Sequence, residues 1–159
     1  MEAKFINPFI ESVSNTMQTM LGVQAERLAP VVREGNLAHG DISGIVGIVS
    51  SVMNGSVALT FPAETALAIY KKMIGETVTE VNDDIRDTVG EFANIIAGGA
   101  KKELAEMDCS FEISIPTVVM GNNHTISHKG STPAVVIPFK FGDHPFEMEI
   151  SMKFNKPKQ

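Results

Sequence analysis

The chain has 159 residues, 43% of them hydrophobic and 20% charged, which suits one domain with a real core and excludes disorder as its main state. Its 13 Lys and Arg stand against 19 Asp and Glu, a net charge of 13 − 19 = −6. No basic cluster precedes the tail at 153–158, so a nucleic-acid binder that tracks phosphates is excluded.

The lone cysteine, Cys109, allows neither an internal disulfide nor a thiolate zinc cage; it reads as a buried, inert thiol in a reducing, cytoplasmic protein. The opening residues lack the basic-then-apolar run of a secretory signal. The uncharged stretch 42–63 is broken by Gly, Ser, Asn54 and Pro62, which argues against a membrane span. With no linker, composition shift or long repeat, residues 1–159 read as a single domain.

In chain order, Asn7-Pro8 predicts a helix start, with Asn7 as cap and Pro8 at the first helical position. Phe9, Ile10, Val13, Met17, Met20 and Leu21 recur at helical spacing, and Gly22 stops the helix. Residues 23–33 predict a strand that Pro30 confines to an edge or a bulge. Residues 42–52 and 56–61 predict a hairpin turning at Asn54-Gly55, both tolerant of positive φ.

A second helix starts near Pro62-Ala63-Glu64, with Leu67, Tyr70, Met73 and Ile74 as core face and Gly75 as stop. A third spans 82–107, where Asn82, Asp83 and Asp84 supply the cap and the early negative charge. Residues 111–120 predict a strand interrupted at Pro116, then a polar connection over 121–132. Residues 134–141 predict a further strand, which Pro138 places at an edge or a bulge. In the last strand Phe146, Met148, Ile150 and Met152 face one way and Glu147, Glu149, Ser151 and Lys153 the other. That alternation predicts one packed face and one wet or partner-covered face. The fold class is α+β, an antiparallel-rich sheet with three helices against one side.

The third helix carries the chemistry. At about 100° per residue, Ile85, Val89, Phe92 and Ile96 share the buried face. Asp87, Glu91, Asn94 and Gly98 form a straight stripe nearly opposite, flanked by Lys101 and Lys102. A polar stripe is the ordinary dress of a solvated face. Here, however, Asn is a mediocre helix former, and Gly98 and Gly99 each cost about 1 kcal/mol relative to Ala. Gly99 flanks the core face and suits packing; Gly98 lies in line with Glu91 and Asn94.

Asp87-x3-Glu91-x2-Asn94, continuing Ile95-Ile96-Ala97-Gly98, resembles the active-site helix of the CheC/CheX/FliY family of CheY-phosphate phosphatases. That family's pattern then places a proline after a fixed gap. Pro116 is the match, with 21 residues between it and Asn94, one fewer than the pattern. Phe5-Ile6-Asn7-Pro8-Phe9-Ile10, the hairpin and the helix ending at Ile74-Gly75 also resemble the CheX branch, so the resemblance spans nearly the whole chain. CheC-type members carry two such helices related by pseudo-symmetry, CheX-type members one. The first helix reads Asn7-x3-Glu11-x2-Ser14, with Ser14 at the carboxamide position and Asn15 about 100° off the stripe. A CheX-like protein with one site is therefore expected.

The resemblance implies hydrolysis of the aspartyl phosphate of a CheY-type receiver domain, a reaction that calls mainly for positioning and charge stabilisation. Asn94 would orient the attacking water: its carboxamide can accept from water and donate to phosphoryl oxygen, but has no proton to give. Glu91 would pair with the receiver's conserved lysine, Asp87 would extend the acidic docking edge, and Gly98 would admit a partner loop. The Mg²⁺ would belong to the receiver, leaving this chain without a cofactor or metal of its own. Homodimers through sheet edges are also implied, without nucleic acid or membrane as partner.

Two other readings compete. A non-catalytic module could use the same helix to bind a receiver or a flagellar partner. A metal site could use His124 and His128, four apart, with His144; these lie in a Gly/Asn/Ser-rich connection where ordinary loop histidines are expected. His39 reads as a turn residue, and the methionines as packing.

Overall fold

The structure, a computed structural model, describes residues 3–33, 40–122, 124, 126 and 134–155; the readings of His39, His128 and the last four residues lie outside them. The described helices are α1 (Ala3–Thr16), α2 (Ala63–Ile74) and α3 (Asp83–Glu106). The strands are β1 (Glu26–Arg27), β2 (Val31–Arg33), β3 (Ile42–Val49), β4 (Met53–Phe61), β5 (Glu112–Ile113), β6 (Thr117–Met120), β7 (Ala134–Phe141) and β8 (His144–Phe154). Among the described residues these strands form one sheet in the order β1-β7-β8-β4-β3-β5, with β2 also on β7 and β6 also on β3. Every pairing is antiparallel. The expected α+β architecture is what the chain adopts, its helices packed on one face of the sheet.

The core lies between that face and the helices. Ile42, Val46 and Ile48 of β3, Val57, Leu59 and Phe61 of β4, and Phe146, Met148 and Ile150 of β8 point into it at period two. They meet Phe9, Val13 and Met17 of the first helical segment and Ile85, Val89, Phe92 and Ile96 of α3. Phe61 stacks on Phe146 with ring centroids 5.4 Å apart and meets Phe92 edge-on at 6.0 Å.

Several local expectations are corrected. Pro8 lies inside α1 and is buried. The preceding turn stays helical because Phe5 and Ile6 pack against the core, Phe5 also meeting Phe154 at 5.0 Å; as the sixth residue of the helix, Pro8 forfeits one i→i−4 bond, which this packing offsets. A π-helical turn, Met17–Leu21, follows α1, and Gly22 ends it in the left-handed region at φ 66°. The hairpin turns at 50–52, not at Asn54-Gly55. Ser50 Oγ accepts from the backbone N–H of Val52 and Met53, and Ser50 N–H donates to Met53 O at 2.8 Å. Gly55 instead sits inside β4, where a side chain would collide with the carbonyl of Ser151 on β8.

On α2 the buried residues are Thr65, Ala66, Ile69 and Tyr70, while Leu67 and Met73 are half-buried and Ile74 is exposed. The buried face is turned toward the N-terminal side of the predicted one because Thr65 Oγ1 donates to Pro145 O at 2.7 Å, anchoring the helix to the start of β8. β7 is not an edge strand: β1 and β2 pair along its outer side. The second face of β8 is not simply wet either. Glu149 and Ser151 are buried, and Ile126 covers Ala58 and Ile45 on that side of the sheet. Alternation in sequence sorts residues between two faces but does not reveal that another segment passes over one of them.

Candidate functional site

The site is built on α3. Asn82 Oδ1 accepts from Ile85 N at 3.0 Å, fixing the first turn. From there Ile85, Val89, Phe92, Ala93 and Ile96 are committed to the core, so Asp87, Glu91 and Asn94 must line the opposite side. Asp87 and Glu91 are exposed and Asn94 is half-buried. All three line one groove of about 890 Å³, closed on its other side by Ile113, Ser114, Ile115, Pro116, Thr117 and Val118. No hydrogen bond or ion pair to another described residue engages the side chains of Glu91 or Asn94.

The far wall is a β-bulge. Ile48 pairs with Ile113 and Ile45 with Thr117, so Val46 and Gly47 face three residues, Ser114, Ile115 and Pro116. Ser114 holds the bulge to β3 twice: its N–H donates to Gly47 O at 2.9 Å, and its Oγ accepts from Gly47 N–H at 2.7 Å. Lys101 Nζ donates to Glu112 Oε2 at 3.1 Å, linking α3 to β5 just before the bulge. Despite the short gap, Pro116 thus lies in the same groove as Asn94.

Gly98 does not line the groove. It lies a turn further along α3 with open space above it. Gly99 packs: a side chain there would collide with Ser12 of α1, whose hydroxyl donates to Ile96 O at 2.7 Å. Lys101 serves the ion pair just described.

Reasoning from sequence missed Arg86, Gly90, Ser114 and Ile115. Arg86 Nη2 donates to Val118 O at 3.4 Å across the groove. A methyl group at Gly90 would lie 3.3 Å from Val118 Cγ2, so the small residue allows α3 and β6 to approach. The mid-helix glycine signal that singled out Gly98 and Gly99 applied equally to Gly90. Ser114 and Ile115 had no signal beyond their adjacency to Pro116.

The histidines serve other ends. His124 Nε2 lies 2.6 Å from Ser43 Oγ, itself 2.6 Å from Thr60 Oγ1, and His124 Nδ1 lies 2.7 Å from Gly121 O. Both of its ring nitrogens are therefore engaged on the face of the sheet away from the core. His144 packs against the Phe141 ring at 5.1 Å. Among the described residues no group of three or more His, Cys, Asp or Glu is placed to hold a metal ion. Cys109 is buried, and burial pushes its thiol up from the ordinary value. No helix among the described residues is long and apolar enough to cross a membrane.

Residues 42–140 match the family model described as chemotaxis phosphatase CheX. The chain is 28% identical over 155 residues to the CheY-P phosphatase CheX of Thermotoga maritima, covering 96% of this chain and 98% of that one. Among solved structures, a CheC-like superfamily protein from Shewanella sp. PV-4 is 36% identical, with a TM-score of 0.90 over 96% of this chain and 99% of that one. A CheX from Borrelia burgdorferi, solved in a CheX–CheY–BeF3–Mg²⁺ complex, is 30% identical, with a TM-score of 0.81 over 94% of this chain and 97% of that one.

Proposed function

The chain belongs to the chemotaxis phosphatase CheX family, and from that premise we propose that it hydrolyses the aspartyl phosphate of a CheY-type receiver domain at the groove between α3 and the Ser114-Ile115-Pro116 bulge. The observation that carries this reading is the Asn94 carboxamide, half-buried, lining an open groove and tied to no other described side chain.

An acyl phosphate is already an activated leaving group. The remaining barrier lies largely in placing water in line with phosphorus while charge on the phosphoryl oxygens is stabilised. Asn94 accepts a hydrogen bond from that water through Oδ1 and donates through Nδ2 to phosphoryl oxygen. Water oxygen bonds to phosphorus, the bond from phosphorus to the receiver's aspartate oxygen breaks, and inorganic phosphate and a free carboxylate result. Asn94 neither gains nor loses a proton.

Glu91, one turn earlier and exposed, pairs with the receiver's active-site lysine in a charge-assisted bond, and Asp87 adds a second negative charge at the groove's edge. Gly98, clear of side chains, leaves room for a receiver loop beside the groove. Mg²⁺ arrives with the receiver. The lone buried Cys109 and the acidic surface suit a cytoplasmic protein. Homodimerisation through a sheet edge completes the proposal; Val31 and Val32, 50% and 67% exposed on β2, support that choice of surface.

The test is phosphate release from an Mg²⁺-bound phosphorylated CheY-type receiver with and without the protein. Acceleration that disappears in Asn94→Ala while binding persists is expected. Binding with no acceleration by the wild-type protein would make it a docking module and overturn the catalytic reading.

A further inference from the structure

The bulge displays one side chain outward. Ile115 is 88% exposed, the largest value among the exposed large hydrophobics of the described residues. Single exposed apolar side chains are ordinary on protein surfaces, but this one differs in placement and in rigidity. It lines the same groove as Glu91 and Asn94, on a bulge whose first residue is bonded twice to Gly47. The following residue is proline, whose ring removes a further backbone freedom. Little backbone entropy therefore remains to be lost when a partner covers the side chain. The equivalent middle position of a second three-against-two bulge among the described residues holds Ala29, so the backbone device does not itself require a large apolar residue there.

We infer that Ile115 is the apolar anchor of the docking surface, seating against an apolar patch beside the phosphorylation pocket of the same receiver domain that Asn94 and Glu91 address. This rests on the receiver-phosphatase reading above. The occupant follows from continuity: a domain that brings its phosphoaspartate to Asn94 must cover the opposite wall, and Ile115 is the exposed large hydrophobic residue of that wall. The surface so formed pairs a charged wall on α3 with an apolar wall on the bulge, as an interface with a desolvated centre and a polar rim requires. Ile115 acts on binding and not on the bond-breaking step, because its side chain has no polar atom to offer water or phosphate.

The test measures kcat and KM for the Mg²⁺-bound phosphorylated receiver, and Kd for its beryllofluoride-loaded form. It uses the wild-type protein, Ile115→Ala, Ile115→Asp, Ile115→Val, and Val52→Ala as an exposed valine outside the groove. Ile115→Ala should raise KM and Kd about tenfold and Ile115→Asp further, with kcat within about twofold of wild type. Ile115→Val and Val52→Ala should stay near wild type, and melting temperatures should be unchanged because the side chain is exposed. Unchanged KM and Kd in Ile115→Asp, or a fall in kcat at constant KM, would overturn the inference while leaving the phosphatase reading intact. A wild-type protein that neither binds nor dephosphorylates the receiver would overturn that reading first, and this inference with it.

Discussion

The two edges of the sheet are built by the same backbone device and put to different uses. At one edge Arg27 pairs with Phe139 and Val31 with Val136, so Leu28, Ala29 and Pro30 face Ile137 and Pro138. At the other, Ser114, Ile115 and Pro116 face Val46 and Gly47. Each is a one-residue bulge with proline third, and in each the first residue's N–H reaches the opposite carbonyl: Leu28 to Pro138 at 2.8 Å, Ser114 to Gly47 at 2.9 Å.

The return bond separates them. Pro138 has no N–H to give back, so no donor of its own waits there for an acceptor. Gly47 does have one, and the Ser114 hydroxyl accepts it at 2.7 Å. That side chain replaces a ladder carbonyl, and the freed backbone turns Ile115 and Pro116 into the wall of the groove. A bulge thus makes no further demand on the strand beside it where a proline faces it, and becomes part of a site where a side chain answers it and a polar helix face lies opposite.

The largest expected effect tests the helices that carry the two candidate stripes. Asn94→Ala should lower phosphate release from the phosphorylated receiver about a hundredfold or more, whereas Ser14→Ala, at the corresponding place on α1, should leave it unchanged. Equal losses in both variants would make the two halves of the molecule alike. Next, Glu91→Ala should raise KM about tenfold with little change in kcat, as expected of a partly exposed ion pair used for docking. Ser114→Ala comes third. Loss of the bond to Gly47 should cost about 1 kcal/mol in denaturant unfolding and raise KM as Ile115 loses its support.

The smallest effect concerns the contact between the stripe-bearing helices. The Glu103 carboxyl on α3 is pushed up, first by its hydrogen bond with Glu11 on α1, then by burial and by repulsion from Glu11 and Glu106. A folded-state pKa above the unfolded one means that the folded protein binds the proton more readily. Stability therefore rises as pH falls from above the folded pKa toward the ordinary carboxylate range, and the penalty is fully present above the folded pKa. Glu103→Gln should melt slightly higher than wild type at pH above the folded pKa, the gap closing below the ordinary carboxylate pKa.

Local signals were legible where the physics is local. Asn82 caps α3, Gly75 ends α2 with φ 86° and Gly22 stops the π turn, all as their residue types require. Pro30 and Pro116 each mark an interrupted edge. Asn54-Gly55 misled because a serine hydroxyl four positions earlier closes the turn first, and because Gly55 is required by the crossing of β8 and not by positive φ. Pro138 marks a bulge, as one of its two readings required, but the bulge is on the neighbouring strand, whose pairing with β7 no local signal in either segment announces.

By itself, then, the order of residues determined which side chains share a face of α3, since a helix repeats every 3.6 residues whatever surrounds it. It also specified the family pattern those side chains match. Only the tertiary structure decided what stands opposite them: Ser114 and Ile115 join the site through strand register and the close approach allowed at Gly90, and Arg86 of α3 gains a partner there in Val118 O. Register is set by pairing between segments distant in the chain and by the core beneath them, which no local window contains.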